Sequence, residues 1–452
     1  MNKKTDKYLV YGLGISGLEA ALLLNRHGKS VEVIDNNDGK ILQQRKQILQ
    51  KNNIEVTLDY TDDISPDKYK EIIISPGIDA RDNRNLLSNK VISEVELAYR
   101  YLSGDLISVT GSNGKSTTVS LLGRIFKDAQ KESFVAGNIG NPLAAISDKT
   151  EEDYVTIVEL SSFQLEKIKH YKSQIALLLN LTPDHLDRYD SIDDYYRTKM
   201  RIFENQTKDD FAIINGDDQD IARYIEGIDS RIIRFSMTGP KRPGIWLEGD
   251  TIKFDLKDLG ISKFQKEQKL IDTDGLRIPG PHNIANAMAA SVAALISGIG
   301  IPSLVKSLCE FRGIPHRIEY IRTLDGVEYY NDSKSTNIDS LKYAMMSFKR
   351  PFILIAGGYD KKASFEVLRQ YLPENLKKII LIGQTAEKIE KAFGDLVDCT
   401  KENSLREAAI EARQVSKAGD SVLLSPGCAS FDMFDNFEDR GDKFKQIVME
   451  LD

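Results

Sequence analysis

The run Thr110-Gly111-Ser112-Asn113-Gly114-Lys115-Ser116-Thr117 constrains this chain more than any other stretch. It follows an apolar segment, Leu106-Ile107-Ser108-Val109, and precedes a helical pattern. Glycines in such a turn let consecutive backbone N–H groups point inward around an anion, and the following helix N-terminus adds partial positive charge. A strand, a phosphate-type loop and a helix in this order open a parallel α/β layer. In that reading Gly111 to Thr117 cradle a nucleotide, Lys115 reaches the terminal phosphates and Ser116 meets Mg²⁺. The general pattern begins with a glycine at position 109, where this chain has valine.

The same kind of opening occurs twice more. Tyr8-Leu9-Val10-Tyr11 leads into a glycine-rich turn and a helix ending near Gly28, and Val31-Glu32-Val33-Ile34 follows. Beyond Gly313-Ile314-Pro315, apolar strands are predicted at 352–355, 379–382 and 421–424. Short apolar strands alternating with helices predict mainly parallel sheets covered on both faces. The stretch 237–274 mixes Gly, Lys and Asp with short β-like runs and predicts an antiparallel elaboration, and an alanine-rich helix follows from Asn283. At 452 residues the chain is expected to hold about three domains, divided as 1–95, 96–313 and 314–452.

Composition narrows the function classes. Hydrophobic residues at 41% and charged ones at 29% are those of a folded soluble protein. A net charge of −7 gives nucleic-acid binding no support. No apolar stretch reaches membrane-spanning length, and the N-terminus lacks the features of a signal peptide. Cys309, Cys399 and Cys428 lie far apart and suit a reducing compartment. The expectation is a cytoplasmic protein.

Further polar groups stand at predicted strand ends. Glu159 closes the run Val155–Val158, where doubly wound folds place a metal-binding acid, although a helix-capping acid is the plainer reading. Asn180 to Arg188, with His185, follows another strand, and Lys199 reads by charge alone as a solvated helix residue. Gly12-Leu13-Gly14-Ile15-Ser16-Gly17, with Asp35 ending the next strand, fits a dinucleotide fingerprint. An NAD-dependent oxidoreductase is therefore one rival reading, and a non-catalytic nucleotide-binding protein another. The same geometry serves any diphosphate, and the first rival has no use for Lys115, Glu159 or Lys334.

Taken together, Gly111–Thr117, Gly137–Gly140, Glu159–Leu165, Asp184–Tyr189, Lys199, Gly280–Asn286, His316-Arg317, Asn331–Asn337 and Ser425–Phe437 resemble the Mur ligase family over essentially the whole chain. The resemblance implies a Rossmann-like N-terminal domain for a UDP-substrate, a central P-loop domain for ATP, and a Rossmann-like C-terminal domain for an incoming amino acid. It implies ATP-dependent amide-bond formation in peptidoglycan precursor synthesis, with UDP-N-acetylmuramoyl-L-alanine and D-glutamate as the substrates. Other members of the family, and folate polyglutamate-type ligases, are the alternatives within the class. Two Mg²⁺ sites are implied, one on Ser116 and Glu159 and one on His185 and a carbamylated Lys199. Asn283, Arg317 and Asp332 would contact ATP, and Lys115, His185, Lys199 and Arg317 would be catalytic. Gly14, Ile15, Ser16, Asp35, Asn36, Ser75, Pro76, Gly77, Asn138 and His185 would hold the UDP-substrate. Lys334, Thr336, Lys361, Ser430, Phe431 and Phe437 would hold D-glutamate. Two positions depart from the family pattern: Ser335 replaces a small apolar residue, and Gly357–Lys362 is a less regular glycine motif.

Overall fold

The computed structural model describes residues 7–452 except 83, 184–187, 260–265, 279, 349 and 361–363. It is an α/β protein with three sheets, in two compact units, 1–311 and 312–452. Within the first unit, β1 (Lys7–Tyr11), α1 (Ile15–Arg26), β2 (Ser30–Ile34), α2 (Lys40–Lys51), β3 (Glu55–Thr57), β4 (Ile72–Ile74), β5 (Val91–Ser93) and α3 (Glu94–Tyr99) come first. Their strands form an all-parallel sheet in the order β3-β2-β1-β4-β5. The order reverses between β1 and β4, so the turns after these two strands open onto one crevice.

The second sheet begins with β6 (Asp105–Thr110), α4 (Lys115–Asp128), β7 (Ser133–Gly137), β8 (Val155–Glu159), α5 (Ser162–Leu165), β9 (Ile175–Leu178), α6 (Ile192–Met200) and β10 (Phe211–Asn215). It continues through α7 (Gln219–Ala222), β11 (Arg231–Ser236), β12 (Gly244–Glu248), β13 (Thr251–Asp255) and β14 (Gln268–Asp272), then α8 (Pro281–Ile296) and α9 (Ile301–Glu310). Nine strands lie in the order β14-β13-β12-β11-β10-β9-β6-β8-β7, and the β12-β13-β14 end is antiparallel, as the Gly- and Lys-rich stretch predicts. Strand β6 is buried along Leu106–Thr110 because it sits mid-sheet, between β8 and β9, which is why its sequence is an apolar run.

The sequence boundary near residue 95 falls on α3, where the two sheets are joined. One continuous core spans both, with Leu24 and Val95 among the same buried residues as Leu143, Leu160 and Leu165. Two buried acids of α3 reinforce it. Glu96 Oε2 accepts the amides of Lys169, His170 and Tyr171 at 2.8, 2.9 and 2.9 Å. Glu94 Oε1 accepts the Ala144 amide at 2.6 Å, while its Oε2 is buried without a partner. Burial pushes the Glu94 carboxyl up to about 7. The folded protein therefore holds a proton that the unfolded chain has released, and stability falls as pH rises from the ordinary glutamate range through 7. Glu94→Gln should flatten that dependence, gaining up to ~3 kcal/mol relative to the parent at pH 8 over pH 5. Urea unfolding at the two pH values measures this.

The second unit holds β15 (Glu319–Leu324), β16 (Val327–Asn331), α10 (Ile338–Met346), β17 (Phe352–Gly357), β18 (Leu376–Ile382), α11 (Ala386–Phe393), β19 (Asp398–Lys401), α12 (Leu405–Val415), β20 (Ser421–Leu424) and α13 (Phe437–Glu450). The strand order is β15-β16-β20-β17-β18-β19, parallel apart from the β15-β16 hairpin. Strand β20 enters between β16 and β17, so Leu424 pairs with both Asn331 and Ile355. The loops leaving these three strands therefore start side by side.

Candidate functional site

The phosphate-type loop is built as the sequence predicts. Strand β6 ends at Thr110, α4 begins at Lys115, and Gly114 at its N-cap is left-handed (φ 85°). Cross-bonds hold the loop open. The Asn113 amide donates to Asn180 Oδ1 at 2.8 Å, and Asn180 Nδ2 donates back to the Asn113 carbonyl at 3.0 Å. Ser112 Oγ donates to the Thr182 carbonyl at 2.8 Å. Lys115 Nζ curls over the loop onto the carbonyls of Gly111 and Ser112, at 2.7 and 2.8 Å. Ser116, 8% exposed, lies in the first turn of α4, with the half-buried Thr117 after it. The start of α8 packs against the loop. Asn286 donates through Nδ2 to Asn283 Oδ1 at 3.3 Å, and a Cβ on Gly114 would stand 2.4 Å from Asn286 Oδ1. Gly114→Ala adds that clash to an unfavourable backbone angle. It should weaken nucleotide binding at least tenfold by calorimetry.

Glu159 ends β8, in register with Val109 of the loop-bearing strand. It is 1% exposed. Asn138 Nδ2 donates to its Oε1 at 2.9 Å, while Oε2 is buried without a partner. The plainer sequence reading, a helix-capping acid, does not hold: the cap of α5 is Ser161, in a capping box with Gln164. A buried carboxylate oxygen lacking a donor suits a cation. Among the described residues no cluster of three His, Cys, Asp or Glu could hold a metal alone. The donor set of Ser116 and Glu159 thus fits Mg²⁺ in company with phosphate oxygens.

Lys199 is not the solvated helix residue its charge suggests. It is 2% exposed, its Nζ donates to the Gly111 carbonyl at 2.9 Å, and it lies 4.7 Å over the Tyr195 ring. Helix α6 therefore delivers it to the phosphate loop. His185 and Lys361 fall outside the described residues.

At the first crevice, Ser75 Oγ donates to the Gly12 carbonyl at 2.7 Å, and a Cβ on Gly17 would lie 1.9 Å from that oxygen. The structure thus brings the turn that carries Gly14, Ile15 and Ser16 against Ser75, with Pro76 and Gly77 next in the chain. Ile15 is 53% exposed. Asp35 is buried, and its two oxygens accept the amides of Leu13 (2.6 Å) and Asn37 (2.9 Å), so it shapes the turn. Asn36 beside it is exposed. Arg188 donates to the carbonyls of Pro76 (2.9 Å) and Ile78 (3.1 Å) and pairs with Glu166. It thereby fastens this turn to the segment after β9, a role the sequence did not reveal.

In the second unit, Asp332 is buried. Ser425 Oγ donates to its Oδ2 at 2.7 Å and the Ile318 amide to its Oδ1 at 3.1 Å. Burial pushes its carboxyl up to about 7. Arg317 is exposed between two residues with left-handed backbone, His316 (φ 63°) and Ile318 (φ 45°). Such strain in non-glycine residues concentrates at working sites. Lys334 and Thr336, both half-buried, follow β16, and the Lys334 amide donates to the His316 carbonyl at 2.9 Å. Ser430 is buried, Phe431 is 67% exposed and forms an edge contact with Tyr359, and Phe437 opens α13 against His316. Arg440 has no place in the sequence reading, yet it joins two of these loops. Its guanidinium binds Ser333 and the carbonyls of Cys428 and Ala429.

A nucleotide-type loop beside an orphaned carboxylate, on a chain with two further α/β sheets, defines an enzyme class that comparison with known proteins names. The model of the Mur ligase middle domain matches residues 109–294, and that of the Mur ligase glutamate ligase domain matches 316–428. This chain belongs to the Mur ligase family. It is 39% identical to the UDP-N-acetylmuramoylalanine–D-glutamate ligase of Thermoanaerobacter sp. (strain X514), over all of both chains. It is also 39% identical to the ligase of that name from Geotalea daltonii, over 100% of this chain and 99% of that one. Among solved structures, the MurF ligase from Thermotoga maritima in complex with ADP matches with TM-score 0.58 at 16% identity over both whole chains. UDP-N-acetylmuramate-alanine ligase MurC of the same organism matches with TM-score 0.57 at 17% identity, covering 98% of this chain and 99% of that one.

Proposed function

We propose that the chain joins D-glutamate to UDP-N-acetylmuramoyl-L-alanine at the expense of ATP, through an acyl phosphate, in peptidoglycan precursor synthesis. The observation that carries the reading is the buried, partnerless Oε2 of Glu159 in register with the strand that leads into Lys115 and Ser116. Full-length likeness to ligases named for that reaction supports the choice of substrates. Three functional regions are proposed, near 1–95, 96–313 and 314–452, for the UDP-substrate, ATP and the amino acid.

In this reading Gly111–Thr117 wrap the triphosphate, and Lys115 leaves its loop carbonyls for the terminal phosphates. Ser116 and Glu159 would hold one Mg²⁺, and His185 with a carbamylated Lys199 a second. Bound magnesium would offset the negative charge gathered at the transferring phosphoryl group. Asn283, Arg317 and Asp332 would serve ATP. Gly14–Ser16, Asp35, Asn36, Ser75–Gly77 and Asn138 would serve the sugar nucleotide. Lys334, Thr336, Lys361, Ser430, Phe431 and Phe437 would orient D-glutamate, whose amino group attacks the acyl phosphate. An acyl phosphate hydrolyses in water, so the residues around it must exclude solvent. The described residues include no helix long and apolar enough to cross a membrane, and a cytoplasmic monomer is proposed.

Phosphate release from ATP, measured with UDP-N-acetylmuramoyl-L-alanine and a panel of amino acids, tests the reading. D-glutamate should give the highest kcat/KM. Preference for another acceptor would overturn the substrate, and release with none would overturn the ligase. Lys115→Ala should abolish turnover, and near-normal release from that variant would remove Lys115 from the phosphate site.

A further inference from the structure

Arg440 lies in the first turn of α13 and is 0% exposed. Its Nε donates to Ser333 Oγ at 2.9 Å and Nη2 to the Ser333 carbonyl at 2.8 Å. Both Nη1 and Nη2 reach the Cys428 carbonyl at 3.1 Å, and Nη1 reaches the Ala429 carbonyl at 3.3 Å. Among the described residues no carboxylate lies within ion-pair distance of it, and Asp432 and Asp332 support its charge from farther away. Burial draws the guanidinium down only to about 10, so it carries its charge at neutral pH.

A buried cation outside ion-pair contact is costly to desolvate, and here hydrogen bonds to Ser333, Cys428 and Ala429 offset that cost. What the side chain does hold is two loops. Ser333 belongs to the loop after β16 that carries Lys334 and Thr336, and Cys428 and Ala429 to the loop after β20 that carries Ser430 and Phe431. The fork of donors fixes one loop against the other in a way a single ammonium cannot. Each peptide unit is trans, so drawing the Cys428 and Ala429 carbonyls onto the guanidinium turns the amides of Ala429 and Ser430 to the opposite side. Cation and peptide dipoles then add along one direction.

We propose that Arg440 is the positioning residue of the amino-acid pocket, and that its charge, held outside ion-pair contact, biases the pocket toward an acceptor with a second carboxylate. This rests on reading Lys334, Thr336, Ser430 and Phe431 as the acceptor pocket. The test uses the full-length protein, Arg440→Met and Arg440→Lys, with phosphate release measured for D-glutamate and for its neutral isostere D-glutamine. Arg440→Met should raise the KM for D-glutamate at least tenfold and cut the preference for D-glutamate over D-glutamine at least tenfold. The KM for ATP should stay within twofold, and Tm should fall, because methionine leaves the Ser333 and Cys428 carbonyls without their donor. Arg440→Lys should keep the preference and lose kcat. An unchanged D-glutamate KM in Arg440→Met, or an equal rise in every KM, would overturn the inference. If Arg440→Met does not fold, Arg440→Lys decides, and loss of preference there overturns it. A parent enzyme that ignores D-glutamate would instead sink the reading of the pocket itself.

Discussion

Glu159→Gln should lower kcat by about 10³-fold or more while leaving the fold intact. The substitution is isosteric and keeps the oxygen that accepts from Asn138 Nδ2 at 2.9 Å. What it removes is the charge of a carboxylate whose other oxygen is buried without a donor. Glutamine would place an amide there, which repels a cation. A thousandfold loss corresponds to ~4 kcal/mol of transition-state stabilisation, a reasonable share for one metal ligand among several. Thermal unfolding should be unchanged or shifted slightly upward, because the variant relieves an unpaired buried charge. Steady-state kinetics with saturating ATP gives the answer, and a kcat within tenfold of the parent would show that Glu159 holds no metal in turnover.

The largest stability effect should come from Glu96→Ala. One carboxylate oxygen satisfies three consecutive amides, those of Lys169, His170 and Tyr171, and the other pairs with Arg100 at 3.3 Å. Removing it strands the buried amide of Tyr171 and the part-buried amides of Lys169 and His170. At ~1–3 kcal/mol for a buried donor left unsatisfied, and toward the lower end for the two that water reaches, the expected loss is ~3–6 kcal/mol. Glu96→Gln, which keeps one acceptor but lacks the charge, should lose about half as much. Urea unfolding of the full chain measures both. The effect should be confined to the first unit, since every partner of Glu96 lies within it. A transition for residues 1–311 that does not move in Glu96→Ala would show that the core alone joins the first two sheets.

The contrast between these two acids shows what the sequence discloses. Glu159 was legible because it closes an apolar strand and belongs to a known order of motifs. Glu96 was not, because a glutamate in a short helix carries no sign that its carboxylate will cap a turn more than 70 positions later. The strands β1, β6, β8, β17, β18 and β20 read directly as apolar runs, since strands covered on both faces must be apolar along their length. The phosphate loop read directly too, because glycine and lysine at that spacing follow from the geometry of an anion nest. Lys199 illustrates the opposite case. Its charge suggests a solvated helix face, and only tertiary packing against Gly111 and Tyr195 reveals a buried ammonium. Arg440 was silent for the same reason, as its partners are backbone carbonyls that any residue type supplies.

We propose that the loop ending at Lys115 and Ser116, with Glu159 beside it, binds magnesium and a nucleoside triphosphate together. Calorimetric titration of a non-hydrolysable ATP analogue, with and without Mg²⁺, tests it most directly. Binding should tighten at least tenfold with magnesium in the parent, and that gain should vanish in Glu159→Gln. No measurable affinity in the parent, or a gain from magnesium undiminished in Glu159→Gln, would show that the loop and Glu159 do not form a magnesium–nucleotide site.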